Sequence, residues 1–275
     1  MKILVFGGDE RQIFVSEYLT DMGCSVDTFA IDDDRCKSRA ADYSGYDVMI
    51  FPLPFSVDGR NINCPLCDKE FTASEVFKRT GRNSRMFVGM AGAYFKAAAR
   101  EFGADLFDYY ECEELQIKNS VPTAEGAIWT YMNNSKKTVF ESDVAVAGCG
   151  KVGRCLADRL LKLGANVTVA ARGKKDIAWA ESLGMTGVEI ERFITRAYNA
   201  DCIFNTVPCN IFDRDFVSGI SDKTLYIELA SKPYGMSAEC SALLGERCVV
   251  APSLPGRTAP LSAGKIIAET LYKYL

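Results

Sequence analysis

Apolar and polar residues follow two alternating patterns from one end of this chain to the other. Short runs rich in Val, Ile, Leu and Phe predict buried strands, and longer stretches with apolar residues three or four positions apart predict helices. The strand-type runs are Lys2–Gly7, Ser25–Ala30, Asp47–Leu53, Met86–Met90, Leu106–Tyr109, Val144–Ala147, the run that begins at Val167, a short run near Val188, Asp201–Val207, Thr224–Leu229 and Cys248–Ala251. The helix-type stretches include Arg11–Met22, Thr72–Thr80, Ala93–Phe102, Lys175–Leu183 and Glu191–Tyr198. This alternation predicts an α/β protein with parallel sheets.

The order of these segments predicts two Rossmann-like parallel-sheet domains with a cleft between them. Residues 1–120 form the first domain, 121–143 a connector helix region, and 144–262 the second domain. Pro122 suits the first turn of the connector helix, which runs to about Asn134. The last helix, Ala263–Leu275, is expected to cross back to the first domain.

A glycine motif gives the second domain its predicted chemistry. The strand Val144–Ala147 leads directly into Gly148-x-Gly150-x-x-Gly153, and a helical pattern follows that ends at Gly164. In a dinucleotide-binding unit the first glycine makes the tight turn, the second admits the phosphates and the third lets the helix pack on the strand. We therefore predict a dinucleotide site, with a tight turn that binds no ligand as the alternative.

The end of the following strand indicates which dinucleotide is bound. Proteins that bind NAD usually place Asp or Glu there to hold the ribose 2′-hydroxyl. This chain instead has Ala171, Arg172 and then Lys174. Because a guanidinium can hold a 2′-phosphate with two hydrogen bonds, we predict NADP(H) rather than NAD(H). A solvated basic loop is the alternative.

Composition narrows the class of protein. The chain has 275 residues, of which 48% are hydrophobic and 25% charged, and its net charge is −4. A net negative charge does not favour binding to nucleic acid or to an anionic membrane. No apolar run is long enough to cross a bilayer, and Met1–Gly8 resembles a first strand rather than a signal peptide. We therefore expect a cytoplasmic protein, and a homo-oligomer stays open.

Two residue types limit the chemistry further. The chain has no histidine, which excludes an imidazole general base, a Ser-His-Asp hydrolase and a His-ligated zinc enzyme. Its 11 cysteines lie mostly in apolar runs, as buried reduced thiols do. Cys64 and Cys67 have the spacing of a metal-binding pair, but a structural zinc site normally needs further ligands. We expect a loop with two free thiols and no metal.

The predicted strand ends carry the remaining informative residues, since ligands of open α/β sheets bind at the carboxyl ends of strands. Gly7-Gly8 lacks a third glycine and therefore does not predict a second cofactor. Instead, that loop is expected to turn Asp9 and Arg11 toward the cleft. Small residues and prolines follow the other strands, in the segments 53–56, 89–92, 205–208, 228–233 and 251–256.

At these residues the chain resembles the family formed by the A subunits of dipicolinate synthase from spore-forming bacteria, over most of its length. The most distinctive segment is Asn119-Ser-Val-Pro-Thr-Ala-Glu-Gly126. The other segments that carry the resemblance are Gly7–Gln12, Val144–Gly153, Ala170–Arg172, Leu229–Pro233, Ala251–Gly256, Ala259-Pro260 and Ala263-Gly264. Two departures are the Cys-x-x-Cys loop at 61–69 and Lys232, where Arg is expected.

The resemblance implies a reaction, a partner and a biological role. The reaction is oxidation of dihydrodipicolinate to dipicolinate with NADP⁺ as hydride acceptor, and a hydroxy-tetrahydro form of the substrate stays open. The partner is the flavoprotein-like B subunit of dipicolinate synthase, and the role is in sporulation.

Such a substrate has two carboxylates, for which Arg11, Lys232 and Arg257 are the candidate cations. Ser120 and Thr123 are candidate hydrogen-bond donors to a carboxylate. Glu125, predicted in the first turn of the connector helix, is the candidate base, and Asp9 is the second choice. The alternative role for Glu125 is that its carboxylate only stabilises the N-terminus of that helix. The predicted cofactor-binding residues are Gly148, Gly150, Lys151, Val152, Gly153, Arg172, Lys174, Thr206, Val207, Pro208, Ala230 and Ser231.

Two other functions remain open at this point. One is another two-domain NADP-dependent oxidoreductase of a small carboxylic acid, although the hydroxyacid class typically needs the histidine that this chain lacks. The other is a non-catalytic NADP-binding subunit that supports activity in a partner.

Overall fold

A computed structural model describes residues 1–80, 82 and 84–275, which form two compact units. Unit 1 contains Met1–Asn119 and Thr258–Leu275, and unit 2 contains Ser120–Arg257. Each unit is built on its own parallel sheet, which confirms the predicted Rossmann-like α/β class. Within the described residues, no helix is both long and apolar enough to cross a membrane.

The sheet of unit 1 has five parallel strands. Its strands are β1 (Lys2–Phe6), β2 (Ser25–Phe29), β3 (Val48–Ile50), β4 (Arg85–Val88) and β5 (Leu106–Asp108). They lie in the order β2-β1-β3-β4-β5. Helices cover both faces of such a sheet, so its central strands are apolar on both sides rather than alternating. Accordingly, Ile3, Leu4, Val5 and Phe6 of β1 are all fully buried.

Four helices pack on this sheet: α1 (Glu10–Asp21), α2 (Ala73–Thr80), α3 (Gly92–Glu101) and the C-terminal helix α11 (Pro260–Tyr272). Helix α11 lies directly against α1. A Cβ atom at Gly264 would lie 2.7 Å from the carbonyl oxygen of Arg11, so glycine allows this close approach. The return of the C-terminal helix to the first unit is therefore confirmed.

Helix α4 (Glu113–Asn134) corrects the predicted start of the connector. It begins nine residues before Pro122, so this proline lies inside the helix and not in its first turn. Proline in a helix interior removes one backbone hydrogen bond and costs about 3 kcal/mol, which is why the sequence pattern favoured a start there. Burial of Leu115 on one side of the proline and of Ala124 and Ala127 on the other stabilises the continuous helix.

The sheet of unit 2 has six parallel strands. They are β6 (Asp143–Ala147), β7 (Asn166–Ala171), β8 (Thr186–Glu189), β9 (Cys202–Asn205), β10 (Leu225–Glu228) and β11 (Cys248–Val250). Their order is β11-β10-β9-β6-β7-β8. The chain winds outward from β6 through β7 to β8 and then returns to β9 on the other side of β6. The topological switch point, where such sheets bind ligands, therefore lies between β6 and β9.

Six helices accompany this sheet: α5 (Lys151–Lys162), α6 (Lys174–Ser182), α7 (Ile190–Arg196), α8 (Arg214–Gly219), α9 (Ala238–Leu244) and α10 (Leu254–Thr258). The sequence analysis did not predict α8, α9 or α10. With five to seven residues each, they are too short to display a clear helical period. The side chains of Asp213 and Ser237 cap α8 and α9, and these caps were the available signals.

Candidate functional site

The three glycines of the predicted motif occupy three different environments between β6 and α5. Gly148 has φ +101°, and a Cβ atom there would lie 2.3 Å from the hydroxyl oxygen of Thr206. A Cβ atom at Gly153 would lie 2.1 Å from the carbonyl oxygen of Gly148. Gly150 precedes α5 and makes no side-chain cap, and a Cβ atom there would meet nothing within 4 Å. The turn and the packing therefore need glycine, while the space at Gly150 is open.

This geometry fits a dinucleotide pyrophosphate. The first four N–H groups of a helix have no partner within the helix, and the helix dipole favours an anion there. Gly150 leaves that end of α5 without a side chain in the way. Lys151 begins α5 and is exposed, and Val152 beside it is half-buried. The backbone of Gly148, Gly150 and Gly153 together with these two residues would hold the phosphates.

The loop after β9 lies against the glycine turn, on the far side of the switch point. Both the backbone N–H and the hydroxyl of Thr206 donate to the carbonyl oxygen of Ala147, over 2.9 and 2.8 Å. These two hydrogen bonds tie Thr206, the first residue of the loop, to the end of β6. The structure thus places two predicted cofactor residues, Thr206 and Val207, next to Gly148, and the third, Pro208, follows them in the same loop.

A second loop follows β10 and contains Ala230, which is half-buried, and Ser231, which is exposed. The buried carboxylate of Glu228 accepts a hydrogen bond from the N–H of Ala230 over 3.0 Å. It also accepts one from the side-chain amide of Asn205 over 2.7 Å. The sequence analysis included Asn205 and Glu228 in its strand-end segments but assigned neither of them a role. Each is a polar residue that ends an otherwise apolar strand, which is the signal that could have identified them.

Basic side chains lie at the turn between β7 and α6. Arg172 and Lys174 are exposed there. Arg154 of α5, which the sequence analysis missed, reaches the same turn and pairs with Asp176 of α6. Its Nε donates to the carbonyl oxygen of Cys149 over 2.9 Å, and its guanidinium lies 4.9 Å from the centre of the Trp179 ring. Burial raises the pKa of the Cys149 thiol.

In unit 1, Asp9 and Arg11 pair with each other at the end of β1. Asp9 caps α1, and the Nε and Nη2 of Arg11 each donate to it over 2.8 Å. Arg11 also donates to the carbonyl oxygen of Leu53 and is only 5% exposed. The guanidinium is thus buried and bound by a carboxylate from its own loop.

Three other predicted site residues lie on α4, all within unit 2. Glu125 is the thirteenth residue of α4, so its predicted place in the first turn of a helix is wrong, because the helix continues through Pro122. Its exposed carboxylate lies 3.5 Å from the Nε of Arg159. Ser120 is buried and Thr123 is half-buried. The alternative that Glu125 stabilises a helix N-terminus is therefore also wrong.

The two remaining candidate cations, Lys232 and Arg257, are exposed side chains of unit 2. Lys232 lies in the loop after β10 and precedes a cis peptide bond to Pro233. Arg257 lies in the last turn of α10. Both can reach a soluble anion.

Cys64 and Cys67 lie in a tight turn, in which the N–H of Cys67 donates to the carbonyl oxygen of Cys64 over 3.1 Å. Both are free thiols. Burial raises the pKa of Cys64 to about 12. Among the residues that the structure describes, no group of three or more Cys, Asp or Glu side chains could hold a metal ion.

Comparison with known families gives two matches. Residues 2–110 match the N-terminal domain of the dipicolinate synthase A subunit, and residues 115–219 match the NAD binding domain of D-isomer specific 2-hydroxyacid dehydrogenases. The second match supports a nicotinamide cofactor for unit 2.

Similar proteins extend the match over the whole chain. The dipicolinate synthase A subunit of Bacillus subtilis (strain 168) is 28% identical over 284 residues, which cover 100% of this chain and 96% of that protein. The structure of the dipicolinate synthase A subunit from Bacillus halodurans superposes with a TM-score of 0.89 at 25% identity, covering 99% of this chain and 97% of that one. A transhydrogenase from Sinorhizobium meliloti shares the fold, with a TM-score of 0.72 at 14% identity over 98% of this chain and 92% of that one.

Proposed function

Because this chain is similar over its whole length to the A subunit of dipicolinate synthase, we propose that it oxidises dihydrodipicolinate to dipicolinate with NADP⁺. The observation that carries the redox part of this proposal is the open helix N-terminus at Gly150, beside the switch point of unit 2. In this assignment residues 144–262 bind the cofactor, and residues 1–120 with the C-terminal helix form the substrate domain.

The proposed preference for NADP(H) rests on the turn after β7. The strand ends at Ala171, and the exposed residues that follow include Arg172 and Lys174. A 2′-phosphate bears about two negative charges, which these cations attract and a carboxylate in the place of Arg172 would repel. The cofactor would accept a hydride from the substrate ring, and the protein would hold the phosphates, the ribose and the ring in place.

Substrate recognition is assigned to cations and hydroxyls. Lys232 and Arg257 are exposed and can bind a carboxylate directly. Arg11 is already paired with Asp9, so a substrate carboxylate would have to replace the Asp9 carboxylate in order to bind Arg11. Ser120 and Thr123 would donate hydrogen bonds to the substrate. The ring loses a hydride and a proton, and we keep Glu125 as the candidate proton acceptor with Asp9 as the second choice.

We also propose that this protein works with a second, different polypeptide, since the name of the similar Bacillus subtilis protein describes one subunit of a synthase. A non-catalytic NADP-binding role is the second candidate function, and another NADP-dependent oxidoreductase of a small carboxylic acid is the third. The expected place of action is the cytoplasm of a sporulating cell.

A single assay separates these functions. The purified chain is mixed with freshly prepared dihydrodipicolinate and NADP⁺, and dipicolinate and NADPH are followed by their absorbance. Equal formation of both products supports the proposed reaction. NADPH binding without turnover, followed by turnover when the second polypeptide is added, would favour the supporting role. Oxidation of other small carboxylic acids in preference to dihydrodipicolinate would favour the third function.

A further inference from the structure

A buried carboxylate lies at the carboxyl end of β10, in a cluster that the proposed reaction does not use directly. Glu228 is 2% exposed. Its Oε1 accepts hydrogen bonds from the Asn205 side chain and from the N–H of Ala230, over 2.7 and 3.0 Å. Its Oε2 accepts from the Tyr226 hydroxyl and from the N–H of Gly235, over 2.8 and 2.7 Å. The four acceptor positions of the carboxylate are thus filled by uncharged donors.

Two of these four donors belong to the loop after β10. Ala230 and Gly235 are close to the two ends of residues 229–235, so one carboxylate holds both ends of that loop. A Cβ atom at Gly235 would lie 2.3 Å from the Asn205 side-chain nitrogen and 2.6 Å from the Tyr226 hydroxyl. The backbone at Gly235 therefore passes directly over the cluster, and this approach needs glycine.

The third donor connects the cluster to the other loop of the site. The Asn205 side-chain nitrogen also donates to the carbonyl oxygen of Val207 over 3.0 Å, and its side-chain oxygen accepts from the N–H of Val207 over 3.1 Å. Val207, in the middle of residues 206–208, is therefore held to Asn205, and Asn205 is held to Glu228. One carboxylate thus fixes the loops after two neighbouring strands.

Packing alone does not explain a carboxylate at this position. Removing a charged group from water is costly unless hydrogen bonds compensate, so an apolar side chain would fill the same volume at a lower cost. A carboxylate differs from an apolar side chain in that it can accept several directed hydrogen bonds at once. Burial and the neighbouring Glu228 also raise the pKa of Tyr226, which keeps its hydroxyl protonated as a donor.

We propose that Glu228 is a positioning residue that sets the placement of the loops 206–208 and 229–235 relative to each other. Its importance for cofactor binding rests on the proposed function, since Thr206, Val207, Ala230 and Ser231 are the assigned cofactor contacts in these loops. The placement of the loops themselves does not depend on that assignment and can be measured in the free protein.

The test is hydrogen–deuterium exchange of the full chain, read by mass spectrometry in peptides that contain each loop. Glu228→Gln keeps the shape of the side chain but turns an amide toward two donors. We expect exchange in both loops to rise by about tenfold or more, as for the loss of a buried hydrogen bond, with β6 still protected. Thr224→Val is the matched control, because it removes a buried hydrogen bond to Ala200 at the opposite end of β10.

The variant Gly235→Ala keeps the test decisive if Glu228→Gln does not fold. Its added methyl group displaces the loop from the cluster while the carboxylate remains, so exchange should rise in residues 229–235. The proposal would be overturned if either variant folds and exchange in both loops stays at the wild-type rate. It would also be overturned if Thr224→Val raises exchange in the two loops as much as Glu228→Gln does.

A parallel NADPH titration separates this proposal from the function on which it rests. We expect Glu228→Gln to weaken NADPH binding by about tenfold if both are right. If the wild-type protein does not bind NADPH, the proposed cofactor is contradicted. If loop exchange is nevertheless faster in Glu228→Gln, the positioning role of Glu228 is still supported.

Discussion

The guanidinium of Arg154 pairs with the carboxylate of Asp176 and lies over the ring of Trp179, at the turn that follows β7. Asp176 lies in the first turn of α6, five residues beyond the end of β7. A carboxylate is therefore present beside the exposed side chains of Arg172 and Lys174, although the strand end itself has none. Its charge is offset by Arg154, which also contacts the glycine turn through Cys149.

Replacing Arg172 with Asp tests the preference for NADP(H). We expect Kd for NADPH to rise by about tenfold or more, because a cation that favours the 2′-phosphate becomes an anion that repels it. Affinity for NADH should stay the same or improve. Lys223→Asp makes the same change of charge at another exposed position and serves as the control. Equal affinities of the wild type for NADPH and NADH would contradict the preference.

Replacing Asp176 with Asn tests whether its pairing limits Arg154. The substitution keeps the size of the side chain but removes the negative charge, so Arg154 can pair with the 2′-phosphate instead. We expect NADPH to bind several-fold more tightly and NADH to be unaffected. Trp179 can report the binding by fluorescence when Trp129, the other tryptophan, is changed to Phe. Weaker NADPH binding by Asp176→Asn would show that the pair supports the site instead.

Two alanine substitutions in the glycine turn should have different effects. Gly150→Ala adds a methyl group into open space, so we expect normal thermal stability but NADPH binding weakened by at least about tenfold through a clash with the phosphates. Gly153→Ala places its methyl group against the carbonyl oxygen of Gly148, so we expect a loss of stability of about 1–3 kcal/mol as well. Normal NADPH binding by Gly150→Ala would contradict the assignment of this turn to the cofactor phosphates.

The base can be sought by comparing Glu125→Gln with Asp9→Asn. If Glu125 accepts the substrate proton, its variant should lose kcat by about 10²- to 10⁴-fold, with NADPH affinity unchanged. Asp9→Asn should destabilise unit 1 in addition, because Asp9 caps α1 and binds the buried Arg11. Full turnover by Glu125→Gln would exclude it as the base and leave Asp9 as the candidate.

The cysteines should differ in their reaction with iodoacetamide. Because burial raises the pKa of Cys64 to about 12, this residue is almost entirely a neutral thiol at pH 7.5. The exposed Cys209 should therefore be alkylated much faster, and the rate at Cys64 should increase as the pH rises toward 12. Peptide mapping by mass spectrometry measures both rates in one sample. Equal rates at pH 7.5 would contradict the raised pKa of Cys64.

Several features of this protein could be predicted from its sequence because they depend on local patterns. The buried strands, the glycine turn at 148–153 and the basic end of β7 each follow from residues that are neighbours in the chain. Absence of histidine is likewise visible without a structure, and it excludes whole classes of catalysis. The sequence placed the start of the connector helix near Pro122, but the helix starts at Glu113, because burial on both sides of the proline outweighs the proline's local cost.

The tertiary structure decided which distant residues meet. Asn205 and Glu228 end two different strands, and their contact follows from the order of those strands in the sheet. Arg154 reaches Asp176 because α5 and α6 both begin at the same edge of that sheet. Such contacts depend on sheet order and helix packing, which the spacing of residues along the chain does not encode directly. The sequence by itself therefore determined the glycine motif and the basic residues that follow β7, whereas the fold decided which polar groups hold the surrounding loops in place.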